Sequence, residues 1–170
     1  MSLTTTLTMR LQALLTGPLD LVTTQADMDI NERITLATGT GNNQADQAFS
    51  DQYTISASST QVVDLGAAVS NINQTLVFSK VKAIFLKLAA GASDQSTVSL
   101  APNGTEGFAD WLAGTTPALK VGPGGILLVT HPKEGWAVAE DTDDKLLITN
   151  DDSTNAATVD IVVIGVATAS

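Results

Sequence analysis

The side chains of this sequence that are best suited to chemistry lie in its turns. Asp141, Asp143 and Asp144 form an acidic cluster, and carboxylate oxygens gathered in a loop are ligands that calcium prefers. The segment lacks the following glycine and the distant glutamate of an EF-hand, and aspartate is also an ordinary turn residue. We interpret the cluster as a turn, and Asp141, Asp143 and Asp144 are the calcium candidates in a chain for which we otherwise expect no metal and no cofactor.

Two further turns resemble reactive motifs only in part. The glycines of Gly122–Gly125 are not followed by the lysine, serine or threonine and helix of a phosphate loop. Proline at the second position and glycine at the third predict a type II turn instead. His131 is the only histidine and is followed by Pro132. A hydrolase that uses His131 with a serine and an aspartate is a third hypothesis, but no Gly-x-Ser-x-Gly motif supports it. We expect no enzyme activity.

Aromatic side chains offer a binding chemistry. Trp111 and Trp136 could stack on a sugar, as exposed aromatics do, or could fill the core, which is the commoner use of such residues. We favour the core, and keep Trp136 and Trp111 as candidate glycan contacts.

Composition limits the function classes. The net charge is −10, which argues against nucleic acid because phosphate binding needs clustered lysine or arginine. The chain has no cysteine, so disulfides and thiolate metal sites are excluded. No signal peptide is recognisable at Met1, and the apolar run Ile161–Val166 is too short to cross a bilayer. We expect a soluble protein that does not bind membranes and is made in the cytoplasm.

The surface chemistry predicts association. Only 15% of the residues are charged, against roughly 25% in typical soluble domains. An uncharged surface is usually covered by a neighbouring subunit, because exposed apolar patches promote aggregation. We therefore expect a homo-oligomer or a component of a larger assembly.

The elements that position these turns are short strands. In the second half they recur every 8–12 residues, which is typical of a β-sandwich or barrel. Together with a thin aliphatic core, this spacing predicts one all-β domain over residues 1–170, an antiparallel β-sandwich. The predicted strands of this half are 96–101, 118–121, 126–130, 136–140, 145–150 and 158–166.

The first half is less regular. Leu76–Ala89 has apolar residues on both faces, which predicts a central strand. Strands are also predicted at 19–24 and 32–37, a loop at 39–51, and a hairpin of 53–57 with 61–65. At the N-terminus, Thr4–Arg10 alternates like a strand, and Leu11–Leu15 fits a helical turn.

Residues 1–16 are a candidate N-terminal arm. Leu3, Leu7 and Met9 lie in its threonine-rich part and could attach the chain to the sheet edge of a neighbour. An ordinary first strand of the same domain is the equally weighted alternative.

The later half of the chain, from Val81 onward, contains a series of structural turns and strands: Val81–Leu86, the Phe-x-x-Trp-Leu of Phe108–Leu112, Val121–Leu128, Gly135–Val138, Lys145–Asn150 and Val159–Gly165. This combination resembles small virion structural proteins of tailed bacteriophages. The resemblance implies a β-sandwich, often a jelly roll, and a role such as capsid decoration or cementing. It defines no functional residues.

We expect on this basis a non-enzymatic decoration or cement protein on the capsid surface of a virion. Its partners would be further copies of itself, with a trimer favoured, and the major capsid protein. The alternative is a carbohydrate-binding module or a receptor-binding protein of the tail tip.

Overall fold

The computed structural model describes residues 3–18, 23–67, 69–71, 74–90, 96–113 and 117–168. These residues form fourteen β-strands and one short 3₁₀ helix, Gly104–Glu106, and contain no α-helix. The strands are β1 Thr5–Pro18, β2 Thr23–Thr38, β3 Gln44–Ala45, β4 Gln47–Ile55, β5 Thr60–Asp64, β6 Val69–Asn71, β7 Gln74–Leu76, β8 Phe78–Leu88, β9 Val98–Pro102, β10 Leu119–Val121, β11 Ile126–Thr130, β12 Trp136–Ala137, β13 Lys145–Asn150 and β14 Ala157–Ala167.

Two antiparallel sheets pack face to face and make the body of the molecule. One has the strand order β11-β8-β14-β4, with the short β12 also on β8, and the other has the order β10-β9-β13-β5. Alternate side chains of each sheet point inward, such as Ile84 and Val163 from the first and Leu100 and Ile148 from the second. The all-β antiparallel sandwich predicted from the sequence is confirmed.

The chain crosses between the two sheets at most of its connections. Successive strands β4 and β5, β8 and β9, β10 and β11, and β13 and β14 lie in opposite sheets. The crossing from β10 to β11 uses the predicted tight turn, in which the Gly125 N–H donates to the Gly122 carbonyl at 2.9 Å. Gly124 has φ +70°, which is the left-handed conformation that the third position of a type II turn requires.

The predicted closing strands are largely present. β11 and β13 begin and end at the predicted residues, and β8 is central, with β11 on one side and β14 on the other. The predicted strand at 136–140 is shorter, because only Trp136 and Ala137 pair with β8.

Three predictions for the first half are wrong. Leu11–Leu15 is not a helical turn but part of β1, which pairs with β2 from Thr5 to Pro18. Residues 39–51 are not all loop, because β3 and most of β4 fall there. β4 and β5 do not form a hairpin with each other, since β4 pairs with β14 and β5 with β13. Of the predicted strand 19–24, residues 19–22 lie outside the described part of the chain, as do Met1 and Ser2 of the candidate arm.

Candidate functional site: a projecting apolar arm

The most unusual element is the hairpin of β1 and β2, which we call the arm. Its strands pair without interruption over the 14 residues of β1, from Thr5 opposite Leu36 to Pro18 opposite Thr23. From Arg10 to Thr16 and from Gln25 to Asn31 every residue is exposed except the half-buried Ala13. Exposure on both faces means that this part of the ribbon does not lie on the sandwich. At about 3.4 Å per residue, the nine residues from 10 to 18 extend roughly 30 Å from the body.

The alternation of residue types divides the arm into two unlike faces. Residues directly opposite each other in an antiparallel pair share a face. Leu11 opposite Ile30, Ala13 opposite Met28 and Leu15 opposite Ala26 therefore form one surface. Together with Met9, these residues are the arm's apolar face: Met9, Leu11, Ala13, Leu15, Ala26, Met28 and Ile30. The one charged residue on this side of the described ribbon is Glu32, directly opposite Met9 at the root end.

The opposite face, the arm's polar face, carries the other charges of the described ribbon, which are Arg10, Asp27, Asp29 and Arg33. Here Arg10 donates two hydrogen bonds to the Asp29 carboxylate, from Nε at 3.2 Å and from Nη2 at 2.9 Å. The Arg10 guanidinium lowers the pKa of Asp29 below its usual range. Because both side chains are about half exposed, this pair contributes little to stability. The ion pair identifies the polar face as the side of the ribbon that stays in contact with solvent.

The apolar face is costly to leave in water. Its five large side chains are between 51% and 68% exposed, with Leu15 the most exposed. Fully burying such a side chain is worth about 1.5–3 kcal/mol, so covering the exposed part of five would contribute roughly 4–9 kcal/mol per arm. A two-stranded ribbon on its own is also only marginally stable in water. Both facts favour a contact that buries the apolar face of the arm.

The root of the arm is anchored on the outer face of the five-stranded sheet. Leu36 at the end of β2 is completely buried, in a cluster with Ala45, Ala83 and Ile164. Leu3, Leu7 and Ile34 pack against the same cluster, and the Thr38 hydroxyl donates to the Leu3 carbonyl at 2.5 Å. The candidate arm residues thus divide: Leu3 and Leu7 secure the root, whereas Met9 begins the exposed part.

A groove runs between the arm root and the sheet. We call it the root groove and define it by Leu7, Ala83, Phe85, Leu128, Val162 and Ile164. A second cleft on the other side of Leu7 shares Leu128 and ends at Met9 and Glu32. Three threonines of β1 also line the root groove, and none of its lining residues is charged. The groove therefore offers an uncharged, largely apolar surface on the sandwich, and Glu32 is the charged residue where the apolar face of the arm meets the body.

A buried lysine ties the loop after the arm to the sandwich. Lys82 of β8 is 1% exposed. Its ammonium donates to the Lys133 carbonyl at 2.8 Å and to the Gly41 carbonyl at 3.4 Å. The Asn43 N–H donates to the Pro132 carbonyl at 3.1 Å and so joins the same two loops. Burial lowers the pKa of Lys82, and the lysine holds the chain that leaves β2 against the turn at 131–135.

Two of the calcium candidates, Asp143 and Asp144, accept hydrogen bonds from the backbone, while Asp144 Oδ1 is buried and has no hydrogen-bond partner among the described residues. The Asp141 N–H donates to Asp144 Oδ2 at 2.9 Å, and the Ala109 N–H donates to Asp143 Oδ1 at 2.8 Å. Burial raises the pKa of Asp143. Asp144 is buried while Asp141 is exposed at φ +63°. Within the described ranges, no three acidic or histidine side chains are grouped so that they could hold a metal ion.

The remaining candidate side chains pack into the body. Trp111 and Trp136 are half-buried against the sandwich core, and Trp111 Nε1 donates to the Phe108 carbonyl at 2.9 Å. His131 Nδ1 accepts from the Gly135 N–H at 2.8 Å, and its ring meets the edge of Trp136 with centroids 5.4 Å apart. These contacts explain the three side chains as packing residues of two separate turns, one that holds Trp111 and one that holds His131 and Trp136.

The sequence contained a signal for the arm that the helical interpretation obscured. Alternation from Leu7 to Leu15 fits a strand except at Leu14. Leu14 lies on the polar face and is 58% exposed, so it breaks the pattern without breaking the strand. Extending the same test to 26–34, where Ala26, Met28, Ile30 and Ile34 alternate with polar residues and only Glu32 breaks the pattern, would have identified the partner strand.

Comparisons with known proteins leave the arm as the main guide to function. The sequence matches no protein-family model and no curated protein. No helix among the described residues has the length and apolar character of a membrane span.

Proposed function

We propose that this chain is a non-enzymatic structural protein of a bacteriophage virion that decorates or cements the capsid. It acts as a homo-oligomer, with three copies favoured, and its partner is the major capsid protein. It is made in the host cytoplasm and resides on the capsid surface.

The observation that carries this proposal is the arm. A rigid sandwich that holds out a ribbon about 30 Å long with one apolar face is suited to joining neighbours. The low charged fraction of 15% supports the same role. The resemblance of the second half of the chain to virion structural proteins supports the proposal that the particle is a virion.

A jelly-roll arrangement is the finer fold assignment that we propose. It is supported by the strand orders β11-β8-β14-β4 and β10-β9-β13-β5, in which the chain passes repeatedly from one sheet to the other. This arrangement leaves the outer face of the first sheet as the platform for the arm.

Carbohydrate binding is the weaker alternative. It requires Trp111 or Trp136 to offer a ring face to solvent, and both pack against the core. Titration with glycans should leave tryptophan fluorescence unchanged, whereas saturable quenching would favour the alternative.

The proposed function is tested by co-sedimentation. Shells assembled from the major capsid protein encoded in the same genome are incubated with the purified chain and pelleted. The expected result is saturable binding at a fixed ratio to the capsid subunits and a rise in the melting temperature of the shell. A chain that stays in the supernatant at every concentration would contradict the proposal.

A further inference from the structure

We infer that the apolar face of the arm is covered by a second copy of this chain, whose root groove receives it. The arm of one subunit lies across the outer face of the five-stranded sheet of the next. This inference rests on the proposed assembly role and adds the interface that performs it. It does not depend on which particle the assembly decorates.

The chemistry of the two surfaces matches. The arm's apolar face has no charged residue between Leu11 and Leu15 or between Ala26 and Ile30. The root groove is likewise uncharged, and Phe85, Leu128 and Val162 in it are only half-buried. Two incompletely buried apolar surfaces on one molecule cover each other best when two copies meet.

Charge also favours this place for contact between copies. A net charge of −10 makes copies repel each other. The segment 5–38 contains only four acids and two arginines, and its charged side chains lie mostly on the polar face. Copies that meet through the apolar face therefore bring few of their like charges together.

The area of the arm shows whether one arm-to-groove contact is large enough for a stable interface. The free ribbon is roughly 30 Å long and about 10 Å wide, or about 300 Å² of flat surface. A stable interface needs about 800 Å² from each partner, so one arm alone falls short. In a closed assembly each subunit buries both its own arm and its own groove, about 600 Å² of flat surface, and its release breaks two contacts instead of one. Because arm and groove are different surfaces, two copies can exchange arms about a twofold axis, or more copies can join head-to-tail, and a head-to-tail contact must close into a ring or grow into a filament.

The test uses three variants of the full chain and multi-angle light scattering after size exclusion. The arm variant is Leu11→Asp with Ile30→Asp, which adds two charges to a directly opposed pair of the apolar face. Its matched control is Thr16→Asp with Asn31→Asp, which adds the same charge to exposed positions of the polar face. The groove variant is Phe85→Asp. Circular dichroism and thermal unfolding verify that each variant keeps the folded sandwich.

We expect the wild type and the control to be oligomeric, and the arm and groove variants each to be monomers of 17.5 kDa. Mixing the two monomeric variants should then give a weak dimer that dissociates on dilution, because one intact groove meets one intact arm through a single small contact. The complete absence of association between two variants that circular dichroism shows to be folded would overturn the arm-to-groove contact. An arm variant as oligomeric as its control would overturn the role of the apolar face. Neither result involves capsids, so a failure here is distinct from a failure of the decoration role.

Discussion

Replacing Lys82 with methionine should destabilise the protein, because this buried lysine joins the loop after the arm to the sandwich. The substitution keeps an unbranched stem of similar length, with sulfur in place of one methylene, and removes the ammonium. The bonds lost are those to the carbonyls of Lys133 at 2.8 Å and Gly41 at 3.4 Å. A matched control is Lys87→Met on the same strand, where the side chain is exposed.

The magnitude follows from the two bonds. A hydrogen bond from a charged donor contributes about 1.5–3 kcal/mol, and the 3.4 Å bond is too long to add much. Removing the ammonium also removes the cost of burying a charge, which offsets part of the loss. The Lys133 carbonyl keeps a second donor, the Asn43 N–H at 3.3 Å. We therefore expect a net loss of about 1–2 kcal/mol, or a fall in melting temperature of roughly 2–8 °C for a chain of this size.

Urea unfolding followed by circular dichroism measures this difference, with the two variants at the same pH and protein concentration. Lys82→Met should unfold at a clearly lower urea concentration than Lys87→Met, with an unchanged slope. If the two midpoints coincide, Lys82 does not join the two loops in the way its hydrogen bonds indicate.

Three further predictions concern the turns of the sandwich. Asn150→Ala removes one buried amide whose two N–H bonds are shared among three carbonyls. The free energy of unfolding should fall by about 1–3 kcal/mol in a denaturant titration, and a loss below about 0.5 kcal/mol would contradict the contacts. Hydrogen bonds from the backbone of Thr154 and Asn155 lower the pKa of Asp152, so its contribution to stability is present above the unfolded pKa of about 4 and is lost as pH falls below it. Melting temperatures measured from pH 5 to pH 2 should therefore decline less steeply for Asp152→Asn, and parallel curves would refute this. Burial raises the pKa of Asp143, so the native state favours its protonated form and loses that contribution as pH rises. Asp143→Asn should melt above the wild type at pH 7 and converge with it in acid, and a lower melting temperature at pH 7 would show that the charge is stabilising.

The closing strands were predictable because their local patterns agree with their environment. In β13 the residues alternate between half-buried and buried from Lys145 to Asn150, as a strand with one face in a core requires. In β8 both faces are covered along most of its length, by the inter-sheet core on one side and by the arm root on the other. The apolar residues that alternate onto both faces of β8 therefore predicted its central position in the sheet correctly.

The second half of β1 was wrongly predicted as a helical turn because its structure depends on a distant partner. Leu11, Leu14 and Leu15 fit a helix by spacing alone, and only pairing with residues 26–30 makes this segment a strand. Lys82 was missed for a related reason. A lysine in a strand is expected to be exposed, and the carbonyls that bind it come from loops some 40 and 50 residues away in sequence.

Thiol reactivity gives the most direct test of whether the apolar face of the arm is covered in solution. The chain has no cysteine, so single substitutions report on one site each. Leu11→Cys places a thiol on the apolar face, and Gln12→Cys places one on the polar face of the same strand; both positions are exposed in the single chain. We predict that the thiol at position 11 reacts with a soluble disulfide reagent at least about tenfold more slowly than the thiol at position 12, as expected for a site that opens only when subunits separate. Equal rates at the two positions, at a concentration where the protein is fully folded, would show that the arm is bare and would contradict its role in assembly.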